Sequence, residues 1–185
     1  YDYDKVKAIA GDDFTIRVRA ARAGETLVLL DGKEAKLDEA DVVIAAGDTA
    51  IGLAGIMGGQ STLVDASTKS VLLEVATFDL YHMRSSQMRH GIFSEAVTRF
   101  TKGVPAQLSS PVLAEATHML EKYTGARATS GIVDDYPAVR EPIVVTISTS
   151  QINDTLGTQF AAEDISDILS NVGFEVEFNG LEANV

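Results

Sequence analysis

Apolar residues at alternate positions predict that the chain begins in β structure. Phe14, Ile16 and Val18 alternate with polar residues, which is the period of a strand with one buried face. Short apolar runs between glycine-rich or charged stretches predict further strands at residues 42–46, 49–54 and 71–78. We therefore expect a β-rich core over the first part of the chain.

A hairpin is predicted between two further short apolar segments that meet at a turn signal. Residues 26–30 and 33–37 flank the dipeptide Asp31-Gly32. Asp-Gly readily supplies the positive φ angles of a type I′ turn, which joins two antiparallel strands. The sequence thus predicts a type I′ hairpin here.

Beyond residue 80 the apolar positions recur at helical spacing, and capping residues mark three predicted helices. They are residues 80–90, closed by Gly91; a helix from the N-cap Ser94 to Gly103; and a helix from Ser110-Pro111 to Gly125. We expect these helices to cover one side of the sheet structure.

Two prolines mark the predicted domain boundary. Pro137 and Pro142 lie in a charged stretch, where proline favours extended, solvent-facing backbone. We expect one domain over residues 1–140, followed over 141–185 by the incomplete beginning of another, with strands and two helices. The predicted fold class is α+β, with a β-barrel-like mixed core, flanking helices and a small α/β segment.

The composition is that of an ordinary folded domain, with 45% hydrophobic and 23% charged residues. The absence of cysteine excludes disulfides, thiolate metal sites and cysteine nucleophiles. The net charge of -12 repels phosphate at long range. Any contact with nucleic acid must therefore come from a local group of residues or from another molecule that binds it. No apolar run approaches the roughly 20 residues of a membrane span.

The most unusual segment is Gly55-Ile56-Met57-Gly58-Gly59, between two predicted strands. Glycine permits strained φ angles and close approach of the backbone to a ligand. The segment therefore predicts either a structural turn or a ligand cradle. The sequence contains no P-loop, G-x-S-x-G or H-E-x-x-H signature.

Glu74 is the charged residue of greatest interest, because it lies within the apolar run 71–76. A buried carboxylate needs hydrogen-bond partners, so Glu74 either forms a structural ion pair or lines a pocket and accepts a hydrogen bond from a ligand. Ser94 and Glu95 fit an ordinary helix N-cap and first turn. Nearby basic residues either contact phosphate or pair with carboxylates, and they are Arg84, Arg89, Arg99 and Lys102.

Four segments are distinctive in their order and spacing, namely residues 24–35, 53–59, 71–78 and 99–104. Together they resemble the third and fourth domains of bacterial phenylalanyl-tRNA synthetase β chains. The resemblance spans almost the whole chain, and the tail from Pro142 resembles the start of the family's fifth domain. Several motifs in the right order are more specific than any one of them.

The resemblance implies an editing pocket that hydrolyses tyrosyl-tRNA(Phe) formed in error. By position, Gly58 would line this pocket, Glu74 would recognise the tyrosine hydroxyl, and Ser94 and Ala96 would form its wall. Supporting residues would be Gly55, Met57 and Gly59, and tRNA contacts would come from Arg84, Arg89 and Arg99. The resemblance assigns no catalytic side chain and no metal site here.

The chain departs from the family pattern near the expected pocket. The family usually has Thr at Ser94, Ser at Val97, Glu at Thr101 and Asp at Pro105. Ser94 keeps a hydroxyl, whereas the other three positions change the surroundings of the pocket. The family's pocket histidine is expected just upstream of Tyr1.

The implied function is post-transfer editing in support of phenylalanine-tRNA ligation. The resemblance implies a cytoplasmic, ATP-dependent ligase of two α and two β chains that binds tRNA(Phe), with amino-acid activation on the α subunit. ATP and Mg²⁺ would serve the complete enzyme, no cofactor is expected in this part, and no membrane is involved. The alternative is a non-catalytic module that binds tRNA or holds the subunits together.

Overall fold

The computed structural model describes residues 1–12, 14–179 and 182–184. Its internal contacts divide the chain into two compact units, residues 1–130 and residues 131–185. The boundary predicted near residue 140 separates domains that fold independently, which a division by internal contacts does not test. It stays a prediction. Within the described ranges, no helix is both long and apolar enough to cross a bilayer.

The first unit begins with a helix, α1 (Tyr3–Ala10), so the prediction that the chain begins in β structure is wrong. Asp2 caps this helix, and its side chain accepts a hydrogen bond from the Lys5 amide at 3.0 Å. Val6 is its one buried residue. The helix has only eight residues, fewer than the roughly 11–18 over which a helical period is recognised in a sequence.

The described strands of the first unit are β1 (Ile16–Ala20), β2 (Thr26–Val28), β3 (Glu34–Lys36), β4 (Val42–Ala46), β5 (Thr49–Leu53) and β6 (Met57–Gly58). An antiparallel sheet has the order β1-β4-β5-β6, and β2 pairs separately with β3. The α+β class is confirmed. Because β1 and β6 are edges, the sheet is open and does not close into a barrel.

Three helices follow, as the capping residues predicted: α2 (Leu80–His90), α3 (Glu95–Phe100) and α4 (Ser109–Thr124). Gly91 and Gly125 end the first and third in the left-handed conformation, with φ of 62° and 69°. α3 ends at Phe100, earlier than the predicted Gly103. α4 has no buried residue, so the expectation that every helix covers the sheet is wrong for it.

The core explains why β4 and β5 have nearly continuous apolar sequences, since both strands are buried on both faces. On one face, Val43 and Leu53 pack with the β2–β3 hairpin and with Met83 of α2 and Val97 of α3. On the other face, Ile44 and Ile51 pack against Val6 of α1.

The buried face predicted for β1 is wrong. Ile16 and Val18 form part of a strand, but their side chains are 36% and 61% exposed. The strand lies at the edge of the sheet, while α1 packs further in, on β4 and β5. Alternation therefore identified the strand, but it could not reveal that nothing in the described chain buries its apolar side chains.

The hairpin of β2 and β3 is confirmed, with Leu27 paired to Ala35. Its turn is not type I′, because positive φ among the described residues occurs only at glycines and Asp31 is therefore excluded. The Leu29 amide donates to Lys33 across a three-residue loop, in which Gly32 has φ of 83°. The single positive φ falls on the one residue without a Cβ atom.

The strand predicted at residues 71–78 is absent. Only Val71 makes a β-bridge, to Asp2, and the residues that follow have irregular structure. The apolar composition of this segment instead serves packing, since Leu72 and Phe78 contact the core from outside the sheet. A continuous apolar run does not by itself distinguish these two outcomes.

The second unit contains β7 (Thr146–Ser148), α5 (Thr149–Leu156), α6 (Ala162–Asn171), β8 (Glu177–Asn179) and β9 (Glu182–Asn184). Its strands pair antiparallel in the order β7-β9-β8. Ser148 and Gln151 form a capping box at the start of α5. This unit fits the strands and two helices that the sequence predicted beyond the prolines.

Candidate functional site

A cavity of about 680 Å³ opens beside the turn between β5 and β6 in the first unit. Its other walls are the segment after Leu73, helix α3 and the first turn of α4. Its volume is within the range of small-molecule sites, roughly 300–1,000 Å³. Its polar lining side chains are those of Tyr1, Glu74, Ser94, Glu95, Arg99 and Ser109.

The structure brings the four predicted pocket residues to this one cavity. Gly58, Glu74, Ser94 and Ala96 all line it. They come from three separate parts of the sequence, namely strand β6, the irregular segment after Leu73 and the start of α3, which carries both Ser94 and Ala96. Their roles toward a ligand stay predictions.

Glycines give the β5–β6 turn its shape. Gly55 has φ of 64°, and a Cβ atom there would lie 2.7 Å from Phe78 Cδ2. A Cβ atom on Gly59 would lie 2.5 Å from the Ile51 carbonyl oxygen. Both glycines are therefore required by packing, which supports the structural-turn interpretation for them.

Gly58 differs from the two flanking glycines. A Cβ atom there would meet Leu30 Cδ1 at 3.3 Å, a contact that a small shift of this side chain relieves. Gly58 and Met57 form β6 and line the cavity. Packing thus requires glycine at positions 55 and 59 of the turn, whereas at Gly58 the absence of a side chain keeps the cavity open.

Glu74 is exposed, so the expectation of a buried carboxylate is wrong. It lies in irregular backbone at the cavity wall and not in a buried strand. Its Oε2 accepts a hydrogen bond from the Tyr1 hydroxyl at 2.7 Å. The partner of Glu74 is therefore a phenol and not the basic residue of the structural ion-pair hypothesis.

Tyr1 is the donor in this contact. Burial of the ring, and then the negative charge of Glu74, raises the pKa of the Tyr1 phenol well above its usual range. The phenol keeps its proton and the carboxylate remains an acceptor. Sequence analysis missed Tyr1, because nothing local connects it to a residue 73 positions away.

Ser94 caps helix α3, as the sequence predicted. Its Oγ accepts from the Val97 amide at 3.2 Å and donates to the Ile56 carbonyl at 2.6 Å. The second bond ties the helix to the glycine-rich turn. Since the hydroxyl proton is directed to Ile56, Ser94 is arranged as a structural tie and not as a nucleophile.

The three predicted tRNA-contacting arginines each bind a different partner within the chain. Arg99 lines the cavity and pairs with Glu95 of its own helix at 2.5 Å. Arg84 and Arg89 lie on α2, where Arg84 bonds Gln87 and Arg89 donates to Asp41 at 2.5 Å. The alternative interpretation, pairing with neighbouring carboxylates, is confirmed for Arg89 and Arg99.

A buried charge cluster behind α2 was missed by sequence reasoning. Asp41 is fully buried and accepts from the Ser86 hydroxyl at 2.5 Å, while His90 Nε2 lies 2.7 Å from it. Burial opposes the charge of Asp41, but bonds from Ser86, the Asp38 amide and His90 together lower its pKa. This cluster fixes α2 to the start of β4.

No group of His, Asp and Glu side chains in the described chain could hold a metal ion.

The arrangement suits an apolar or aromatic group with one hydroxyl. Most of the wall is apolar, with Leu53, Ile56 and Phe78 among its residues. Glu74 supplies an acceptor at the edge, and its contact with Tyr1 shows that the geometry accommodates a phenol. A carboxylate acceptor fixes the orientation of a ligand hydroxyl and adds the strength of a charge-assisted hydrogen bond.

Comparison with known proteins gives a match to the family model described as the B3/4 domain, over residues 1–125. The phenylalanine–tRNA ligase β subunit of Streptococcus pyogenes serotype M28 is 39% identical over 174 residues, which covers 94% of this chain and 21% of that protein. The corresponding subunit of Geobacillus kaustophilus is 37% identical over 181 residues, covering 97% and 22%. That of Streptococcus agalactiae serotype Ia is 36% identical over 176 residues, covering 95% and 21%.

These matches confirm the resemblance inferred from the four sequence segments. The chain spans about a fifth of the length of the curated relatives it matches. The similarity therefore concerns one region of those proteins, and the matched family model includes every residue that lines the cavity.

Proposed function

Because the chain belongs to the B3/4 domain family and matches phenylalanine–tRNA ligase β subunits over nearly its whole length, we propose that its cavity is an editing site that hydrolyses tyrosyl-tRNA(Phe). The observation that carries the proposal is the Glu74 carboxylate at the wall of a largely apolar cavity, already accepting a phenolic hydrogen bond at 2.7 Å. A tyrosyl side chain offers the same donor on the same ring.

Selectivity against phenylalanine follows from the Glu74 carboxylate. A phenylalanyl ring would enclose Oε1 of Glu74 without giving it a donor, and an enclosed carboxylate oxygen without a partner is costly. Sites built to bond a hydroxyl therefore discriminate strongly against analogues that lack it. Because Glu74 is exposed in the free chain, this penalty arises only when the aminoacyl ester fills the cavity and excludes water.

The hydrolytic step would use water. The Ser94 hydroxyl proton is directed to Ile56, so Ser94 is not activated as a nucleophile. In the proposed reaction, a water oxygen attacks the ester carbonyl carbon, the bond to the tRNA ribose oxygen breaks, and that oxygen takes up a proton. Tyrosine and free tRNA are the products, and the chain contributes orientation and substrate selection.

The assembly proposed for the complete protein extends beyond this chain. An α subunit partner, a tetramer of two α and two β chains, and a cytoplasmic location are part of the same proposal. ATP and Mg²⁺ would act in the ligation reaction and not in this cavity. tRNA(Phe) would be held mainly by other parts of that assembly, since this chain carries a net charge of -12.

The test is deacylation of tyrosyl-tRNA(Phe) and phenylalanyl-tRNA(Phe) by the complete protein that carries this sequence. We expect Glu74→Ala to reduce kcat/KM for the tyrosyl ester by about 10- to 100-fold, the range for a lost hydrogen bond to a charged group. Gly58→Trp would fill the cavity and abolish deacylation. Phenylalanylation would remain intact in both variants.

Matched controls separate the cavity from general damage to the fold. Glu39→Ala and Glu39→Trp change an exposed residue that does not line the cavity, so both should deacylate normally. If Glu74→Ala and Gly58→Trp also deacylate normally, the editing proposal fails. The non-catalytic alternative, a module that binds tRNA or holds the subunits together, would then take its place.

A further inference from the structure

Tyr1 is held in place from both sides of its backbone. Its nitrogen donates to the Leu72 carbonyl at 3.0 Å, and the Leu72 amide donates back to the Tyr1 carbonyl at 2.9 Å. The neighbouring residues Asp2 and Val71 continue this pairing as an antiparallel bridge. Tyr1 is thus fixed to the same segment that carries Glu74, two residues further along.

The Tyr1 hydroxyl lies over a part of the sheet that has no side chains. A Cβ atom on Gly52 would be only 3.1 Å from this hydroxyl, and Gly52 pairs with Gly58 across β5 and β6. The paired glycines leave the space that the phenol occupies. The hydroxyl therefore lies between Gly52 of the sheet and the Glu74 carboxylate, and these two neighbours set its position.

Glu74 itself has little else to orient it. Its backbone is irregular and its side chain is exposed, so an unrestrained carboxylate there would sample several rotamers. Among the described contacts, Tyr1 binds Oε2 and leaves Oε1 available to a second donor. A ligand hydroxyl can therefore bind the carboxylate without displacing Tyr1.

We propose that Tyr1 is a positioning residue for substrate selection, whose hydroxyl holds Glu74 Oε2 so that Oε1 faces the tyrosyl hydroxyl of the substrate. This inference rests on the proposed editing function of the cavity. In this role the Tyr1 hydroxyl acts on the phenol of the substrate through Glu74. Loss of its hydroxyl should weaken binding of the tyrosyl ester and leave the attack of water on that ester unchanged.

The test compares Tyr1→Phe with Tyr3→Phe in the complete protein that carries this sequence, by steady-state deacylation of tyrosyl-tRNA(Phe). Tyr3 lies on α1 with its ring against Phe14 and does not line the cavity. For Tyr1→Phe we expect KM to rise about fivefold to tenfold, the effect of restored carboxylate rotamer freedom, with kcat changed less than about twofold. Tyr3→Phe should leave both constants unchanged.

A double substitution shows whether the effect passes through Glu74. In a Glu74→Ala background, Tyr1→Phe should cause no further rise in KM, because there is no carboxylate left to position. An unchanged KM for Tyr1→Phe overturns the inference, and a lower KM would show that Tyr1 competes with the substrate. If Glu74→Ala alone deacylates normally, the editing function itself has failed, which distinguishes that result from failure of the positioning role.

Discussion

At the scale of single residues, Glu25 shows that a motif shared with a family can serve the fold and not the site. Both its oxygens bind Arg19, at 2.9 Å and 2.7 Å, and it also accepts from the Arg22 amide at 2.8 Å. The Arg19 bonds lower the pKa of Glu25 from 4.5 to about 2, against the opposing effect of burial. The charged form is therefore the one that stabilises the folded chain.

The lowered pKa of Glu25 determines how the stability of the folded chain depends on pH. A carboxylate whose pKa is lower in the folded chain stabilises it fully above the unfolded pKa, and the contribution disappears as the pH falls through the folded pKa. We expect Glu25→Gln to cost roughly 2 kcal/mol in the free energy of unfolding at pH 7, after allowance for solvent screening. The difference from wild type should shrink steadily between about pH 5 and pH 2.

Urea denaturation of both proteins across this pH range measures the difference. Glu39→Gln, at an exposed position, serves as the control and should match wild type at every pH. A Glu25→Gln deficit that stays constant down to about pH 2 would contradict the assigned pKa and point to packing instead of charge.

Local signals identified some residues of the candidate site, whereas Ala96 was assigned to it only through the family resemblance. Ser94 was recognisable as a cap, and Gly55 as part of an unusual turn, from neighbours in the sequence alone. Glu74 was singled out because of its apolar neighbours in the sequence, but its exposure and its phenol partner depend on contacts across 73 positions. Asp41 was missed for the same reason, since Ser86 lies 45 positions from it.

At the scale of elements, the β5–β6 turn shows that three nearby glycines have different tasks. A methyl group on Gly59 would lie 2.5 Å from backbone oxygen of Ile51, which cannot move without disrupting β5. At Gly58 the neighbour is the end of the flexible Leu30 side chain. Substitution by alanine therefore places a methyl group against rigid backbone at Gly59 and against a movable side chain at Gly58.

We expect Gly59→Ala to lower the free energy of unfolding by about 2–3 kcal/mol, whereas Gly58→Ala should cost less than about 1 kcal/mol. Thermal or urea denaturation of the two variants beside wild type gives the comparison directly. Equal stability of both variants would mean that the turn relaxes freely, and the close packing of Gly59 against β5 would then be unimportant.

Helices were predicted better than irregular segments, because their signals are local. Gly91 and Gly125 mark helix ends through their own backbone conformation, whatever the rest of the fold does. Residues 71–78 carry no such signal, and their apolar run packs on the core without pairing as a strand. α1 was missed because its eight residues are too few for a helical period to be recognised in the sequence.

At the scale of the whole molecule, the charge distribution sets how the chain meets nucleic acid. The net charge is -12, and many of its basic side chains are engaged by carboxylates. The described ion pairs include those of Lys5 with Asp65, Arg19 with Glu25, Arg22 with Asp48, Arg89 with Asp41 and Arg99 with Glu95. The excess of carboxylates and this pairing both oppose the displacement of counterions from a phosphate backbone.

We therefore expect the 185-residue chain by itself to bind tRNA weakly, with a Kd above about 10⁻⁴ M at physiological salt and almost no dependence of Kd on salt concentration. Fluorescence anisotropy of labelled tRNA between low and physiological salt measures both quantities. Reversal of charge at Arg84 and Arg99, the two predicted contacts nearest open solvent, should leave this weak binding unchanged. A micromolar, salt-sensitive Kd that these reversals abolish would instead show that local basic residues overcome the net charge, and the chain would then position tRNA directly.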